Sequence, residues 1–454
     1  MRSRFMVMAM GVAVLAGCGG PTNNGPMSNN PGSSDFTRTS GNTNKGPVVD
    51  VVAFKGGYDI DFYAKAAQEL QDKTGTAQFK VSGNPRVWEQ LRPRFIAGTP
   101  PDLAFPGWDM GYWALVYENQ VTPWDEALQE KAYGTETKWL DTFEPSLLRL
   151  GQYEGKQYLM PYYFSMNGWW YDPTLFAKNG WTAPKNWTEL LALCEAAKAK
   201  GIAPITFQGK YPYYMITGFL FPWVISAGGI QALDDAQALK PGAWNSPAML
   251  EAANRIDELR KKGYLQPGAT AMSHTESQME FVQNRALMIP CGTWLNSEMK
   301  NVMPKGFKMA YFNPPTLDGG KDASNVSVGI EPWIIPSKAK NPKPGIELFR
   351  YMTSLDKAKQ FVREKGTFTA IKGSDQTELP EHLKDAATAF RASKAVWSVE
   401  YIQWYPKLGK ESQDAMSSLL NGEITPQQFC DRCEAAATEA RNDKSLPKHA
   451  TKPR

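Results

Sequence analysis

At 454 residues, with about 400 of them following a polar N-terminal stretch, the chain is too long for one hydrophobic core, and two lobes are expected. Its 50 Lys and Arg against 46 Asp and Glu leave a formal charge of only +4, a balance that gives no argument for a nucleic-acid partner. Fifteen Trp, 18 Tyr and 21 Phe exceed what core filling usually requires, and many sit beside Gly, Pro or Asp, where loops are expected.

The chain opens with Arg2 and Arg4, an apolar stretch over 5–15, and then Leu15-Ala16-Gly17-Cys18. That order is a charged region, a short apolar region and a small-residue cleavage site, and the apolar part is too short to span a membrane. It resembles a bacterial lipoprotein signal, in which Cys18 becomes the lipidated first residue of the mature chain. Residues 19–46 are polar with little to bury, the composition of a flexible tether.

Beyond the tether, 48–54 reads as a buried strand, 55–59 as a turn, and 60–73 as an amphipathic helix with Phe62, Tyr63, Ala66, Ala67 and Leu70 inward. A strand over 77–82, a helix over 88–97 and a strand over 102–105 follow, and this alternation implies parallel sheets. GKQYLMPYYFSMNGWWYDPTLF (155–176) reads as one extended run where the chain passes between lobes. Helices are expected over 186–200, 246–262 and 275–283, the last opening with a capping box Thr275-x-x-Gln278. A strand over 286–290 then delivers CGTW to a loop at its carboxyl end, where open parallel sheets bind ligands.

Beyond Cys18, the cysteines are Cys194, Cys291, Cys430 and Cys433. Thr425 looks like a helix cap, so Cys430-x-x-Cys433 falls too late in its helix for a dipole-activated redox pair; a local disulfide or two buried thiols fit better. Zinc would need a second ligand pair nearby, and none is present. A Cys291 nucleophile would need a base, for which His274 is the remaining choice: His382 lies in a charged stretch and His449 in a tail expected to fray. Trp294 suits a different task. A flat ring on a rigid turn matches the C–H face of a sugar, while carboxylates and amides fix its hydroxyls. The same combination recurs at Lys55-Gly-Gly-Tyr58-Asp59, Gly107-Trp108-Asp109, Gly209-Lys210-Tyr211-Pro-Tyr213-Tyr214 and Gly329-Ile-Glu331-Pro-Trp333. Asn167, on the crossing run, and Trp397 complete the candidate ligand-binding set. Two alternatives stay open: a glycoside hydrolase using Asp59, Asp109 and Glu331 as facing carboxylates, and a surface glycan-binding protein, which would present a shallow platform rather than a closing cleft.

FVQNRALMIPCGTW, the crossing run before YDPTLF, PKNWTELLALC and GIEPWIIPSKAKNPKPGIELFRYMTS together resemble the extracellular solute-binding lipoproteins of sugar ABC importers. LRPRFIAGTPPDL, GIAPITFQGKYPYYM, GYLQPGATAMSHTESQM and CGTWLNSEM look like the N-acetylglucosamine and diacetylchitobiose binders within that family. One departure is Asn284-Arg285-Ala286, where the family usually has Gly-Lys-Ala. The resemblance implies an α/β, periplasmic-binding-protein-like (type II) fold: a signal peptide 1–17, a tether 18–46, a first lobe 47–163 and 316–371, a second lobe 164–315 and 372–445, and a tail 446–454. It further implies a monomeric, non-enzymatic binder without cofactor or metal, anchored through Cys18 on the extracytoplasmic side of the membrane. Its expected partners are a carbohydrate and the permease subunits of an ABC importer, with no nucleic acid.

Overall fold

The computed structural model describes residues 46–449, apart from the Trp108 side chain. The signal-like segment, Cys18, the tether up to 45 and the last five residues lie outside the described ones.

The first lobe is built on a parallel sheet in which Val48–Phe54 lies between Gln78–Asn84 and Leu103–Phe105. Helix Asp61–Thr74 buries Phe62, Tyr63, Ala66, Ala67 and Leu70, the stripe that its 3.6-residue period sets, and stops at Gly75 in the left-handed conformation. Helix Val87–Ile96 covers the next crossover.

A larger mixed sheet runs, in order, Ala395–Trp397, Asn325–Trp333, Met160–Tyr171, Ala286–Gly292 and Ala203–Ile205. Its central strand, Met160–Tyr171, joins the lobes. Through residues 160–167 it pairs with Asn325–Trp333, and from Asn167 onward with Ala286–Gly292. Two short strands, Ala310–Phe312 and Phe368–Thr369, also pair with it. Several passages of the chain therefore rest on one strand, which is buried along nearly its whole length.

The extended run is shorter than its sequence suggests. It ends at Tyr171 because Asp172-Pro173 starts a helix, Pro173–Asn179, with the Asp172 carboxylate accepting from Thr174 N at 2.8 Å. The capping box expected at Thr275/Gln278 is two residues earlier: Ser273 and Glu276 cap helix His274–Val282, with Ser273 N donating to Glu276 at 2.7 Å. Both pairs satisfy the same pattern, and Gln278 is instead fully buried. Asn284, in the family's glycine position, has φ 54°, a left-handed conformation that Asn tolerates. Thr425 does cap helix Pro426–Asn442, and Cys430 and Cys433 are free, buried thiols within it.

Two further expectations fail. The tryptophan surplus is largely core: Trp113, Trp124, Trp139, Trp169, Trp170, Trp223, Trp244, Trp333 and Trp397 are essentially inaccessible. The tail does not fray over its described part, since His449 is only 4% exposed. Among the described residues no single helix is long and apolar enough to cross a membrane.

Candidate ligand-binding cleft

The strand Ala286–Gly292 continues two residues past its predicted end and is held from both sides. Trp170 Nε1 donates to the Cys291 carbonyl at 2.9 Å, and Gln208 Nε2 to that of Pro290 at 3.0 Å. Thr293 N then donates to the Met166 carbonyl at 3.1 Å, which anchors the turn to the central strand. From there Trp294 folds back over Gly292, where any Cβ would lie 2.0 Å from the ring. The indole stays half-buried and starts a row of aromatic rings. Tyr214 meets it edge-on at 6.1 Å, His274 meets Tyr214 at 5.0 Å, and Tyr211 stacks on His274 at 4.0 Å. Tyr213, half-buried, packs edge-on against Tyr214 at 6.0 Å.

The first lobe brings up Tyr58 from the other side. Its ring packs edge-on against Tyr163 at 5.3 Å, and its hydroxyl is buried beside the Thr367 and Thr293 hydroxyls but outside hydrogen-bonding geometry. Burial pushes the Tyr58 phenol well above its ordinary range; the Thr367 and Thr293 hydroxyls oppose this, and the Glu298 and Glu331 carboxylates add to it. Glu331 is 9% exposed and sits where the pairing of Asn325–Trp333 with the central strand shifts register, an irregularity that re-aims side chains. Tyr112 and Tyr213 are likewise raised, first by burial and then by Glu400 and Glu331. The lobes abut here, for a Cβ on Gly57 would meet the Glu298 side chain at 3.5 Å.

Glu298, Gln278, Thr293, Thr367, Tyr112 and Glu400 escaped the sequence reading. Glu298 lies one helical turn beyond Trp294 in CGTWLNSEM and Thr293 directly precedes it, so both were within reach of the sequence; the others join only through the fold. Gln278 Nε2 donates to Glu298 Oε2 at 2.7 Å and approaches the Cys291 sulfur at 3.8 Å, while its Oε1 has no protein partner. Glu298 is exposed as a residue, but the packing around its carboxyl strips enough water from it to raise it, with the Gln278 bond opposing.

Of the predicted residues, Tyr58, Tyr213, Tyr214, Trp294 and Glu331 converge, with exposed Tyr211 at the rim. Lys210, also exposed, pairs with Glu276 at 3.7 Å. Asn167 is buried on the central strand opposite Ser327 and Gly292. The others have different environments. Asp59 is exposed with φ 56°, and its carboxylate accepts from Ile60 N at 2.6 Å and pairs with Lys55 at 3.5 Å. Asp109 is exposed in the turn Trp108–Met110, its carbonyl accepting from Arg92 at 3.1 Å; the Trp108 side chain lies outside the described ones. Trp333 is enclosed by Phe105 and Tyr63 at 5.6 and 5.0 Å, which leaves no face for a ligand. Trp397, 2% exposed, donates to Asn325 Oδ1 at 2.6 Å. These two rings belong to the core because their positions on strands, not their polar neighbours in sequence, decide where they point.

Cys291 is 2% exposed, and burial, reinforced by Glu298, drives its thiol far above the range of an activated nucleophile. A separate cavity of 630 Å³, lined by Arg149, Phe164, Phe368, Phe390 and Arg391 among others, includes none of the predicted ligand residues. The cleft thus offers half-exposed aromatic surface, carboxylates and buried hydroxyls, a chemistry suited to an uncharged polyhydroxylated molecule.

Residues 61–359 match the model of the bacterial extracellular solute-binding protein family. The diacetylchitobiose binding protein NgcE of Streptomyces coelicolor is 26% identical over 465 residues, spanning 99% of this chain and 96% of that one. The multiple sugar-binding protein of Streptococcus mutans serotype c is 25% identical, spanning 73% and 77% of the two chains. Among solved structures, a chitin oligosaccharide binding protein superposes with a TM-score of 0.71 at 21% identity, covering 87% of this chain and 98% of that one. RafE in complex with raffinose gives 0.66 at 19%, covering 86% and 99%. These likenesses show the two-lobed periplasmic-binding-protein-like fold.

Proposed function

Because the chain belongs to the bacterial extracellular solute-binding protein family, we propose that it captures a sugar, N-acetylglucosamine or diacetylchitobiose, between its lobes and delivers it to the permease of an ABC importer. It does so as a monomer held to the outer side of the membrane by a lipid on Cys18. The first lobe comprises 47–163 and 316–371, the second 164–315 and 372–445, with the crossings along the central strand as hinge.

The observation that carries this reading is the pairing, across the cleft, of Trp294 and Tyr213 with Tyr58 and Glu331. Aromatic faces take the apolar side of a pyranose, and carboxylates accept from its hydroxyls in a site that excludes water. Tyr58 Oη, Thr293 Oγ1 and Gln278 Oε1 are buried without a protein partner, and such groups are costly unless a polar ligand engages them. The end-to-end likeness to a diacetylchitobiose binder supports the acetamido sugar among possible ligands. Binding without turnover is favoured over hydrolysis because the family match and the end-to-end relative are both binding proteins, and the carboxylates first considered for hydrolysis, Asp59 and Asp109, sit exposed on their own turns.

A calorimetric screen of mono- to tetrasaccharides, with and without N-acetyl groups, tests the proposal. Saturable binding of the acetylated mono- and disaccharide, with no product released, is expected. Hydrolysis of diacetylchitobiose, or tighter binding of the non-acetylated series, would refute it.

A further inference from the structure

His449 lies in a segment whose composition points to a frayed tail, yet it is 4% exposed and enclosed by aromatic rings. Its imidazole stacks on Trp404 at 4.0 Å with the planes 4° apart, and its backbone N–H donates to Tyr405 Oη at 3.0 Å. Trp404 ends helix Tyr401–Trp404, and Tyr405 is the junction residue before helix Pro406–Asn421. On its other side the ring meets Trp113 edge-on at 5.4 Å and Tyr153 at 5.2 Å, and its Nε2 is hydrogen-bonded to Tyr117 Oη. Trp113 and Tyr117 sit on helix Tyr112–Tyr117, next to Tyr112 of the cleft.

We infer that His449 is a latch between the lobes: held by Trp404 and Tyr405 of the second lobe, it clasps Trp113, Tyr117 and Tyr153 of the first and biases the protein toward the closed, ligand-retaining form. The inference rests on the two-lobe capture reading above. Hinge opening that separates helix Tyr112–Tyr117 from Trp404 must break the Tyr117 hydrogen bond and expose Trp113, which is 1% exposed, together with one face of the imidazole. A contact made only in the closed form raises the population competent to hold ligand, and affinity follows that population. His449 is enclosed by aromatic rings and offers little surface of its own, so it acts as a positioning element for capture.

Three variants of the full chain test the latch: His449→Ala, Tyr117→Phe, which removes only the hydrogen bond, and His449→Phe, which keeps a ring on Trp404. Small-angle scattering without ligand reads the latch directly, and stopped-flow release of diacetylchitobiose reads its consequence. His449→Ala should enlarge the ligand-free radius of gyration and weaken diacetylchitobiose binding about tenfold, equivalent to about 1.4 kcal/mol, through faster release. Tyr117→Phe and His449→Phe, which lose the same hydrogen bond but keep a ring on Trp404, should both fall between the parent and His449→Ala. A purely structural tail would lower the melting temperature while leaving the radius and release rate unchanged, and that result overturns the proposal. If His449→Ala does not fold, Tyr117→Phe decides by the same readouts. Failure of the parent itself to bind diacetylchitobiose counts against the function proposed above, while ligand-free scattering still decides the latch.

Discussion

Trp294 can act as a platform only because residue 292 has no side chain, since the ring occupies the space a Cβ would take. Trp294→Ala should therefore cost about 2 to 4 kcal/mol of sugar binding, a loss of roughly 30-fold to 1000-fold by calorimetry. Gly292→Ala should weaken binding in the same direction with the indole still present, whereas Cys291→Ser should bind like the parent. Parent-like affinity in folded Trp294→Ala would remove the stacking role. His382 governs a different property. It is 9% exposed, with its Nε2 facing the Gly366 carbonyl at 3.4 Å, and burial pushes its pKa down from 6.5 to about 4. Above pH 6.5 the ring is neutral in both folded and unfolded chains, so its full contribution is present. As pH falls toward 4 only the unfolded chain takes up the proton, and stability should drop by about 3 kcal/mol. Urea unfolding at pH 7 and pH 4.5 should show a shallower acid loss in His382→Gln; an identical slope would mean that other groups set it.

At the scale of single elements, local signals were read well where the chain satisfies itself. Helix Asp61–Thr74 buries the predicted stripe, and Asn186 and Ser246 cap the helices expected after them, because periodicity and capping involve neighbours a turn apart. Errors arose where two adjacent solutions were chemically equivalent, as with Ser273/Glu276 and Thr275/Gln278. The turn into Ala286–Gly292 is set by Asn284, whose side chain also reaches Asp172 Oδ2 at 3.4 Å. Asn284→Gly should fold with equal or greater stability, while Asn284→Ala should lose about 1 kcal/mol, since a Cβ without Asn's local hydrogen bonding is strained in the left-handed region. Equal melting temperatures for the Gly and Ala variants would show that φ 54° is not what limits this turn.

For the whole molecule, the central strand makes the lobes mechanically dependent, because passages from both pair along it. The proposed anchor is a separate matter, read from Arg2, Arg4 and the 15–18 segment outside the described residues. Each buried CH₂ of an acyl chain contributes about 0.8 kcal/mol, so two or more chains on Cys18 would hold the protein stably at the membrane. Cys18→Ser should move exported protein into the soluble fraction, detected by fractionation and immunoblotting. Unchanged sedimentation with membranes would exclude Cys18 as the attachment point.

Sequence alone determined the two-lobed α/β organisation, the crossing strand and the placement of the Thr293-Trp294 turn at the end of Ala286–Gly292. Those features depend on hydrophobic period, glycine and proline punctuation, and segment order, all of which are local. The division of aromatic residues between core and cleft was decided by tertiary structure. Trp294 and Trp333 have similar neighbours in sequence, yet one stays half-buried over Gly292 and the other is sealed between Phe105 and Tyr63. Glu298 joining Glu331 at Tyr58, and His449 closing on Trp404 and Tyr117, likewise depend on strand register and packing between segments hundreds of residues apart. Burial and electrostatic environment are properties of that packing, and no local pattern encodes them.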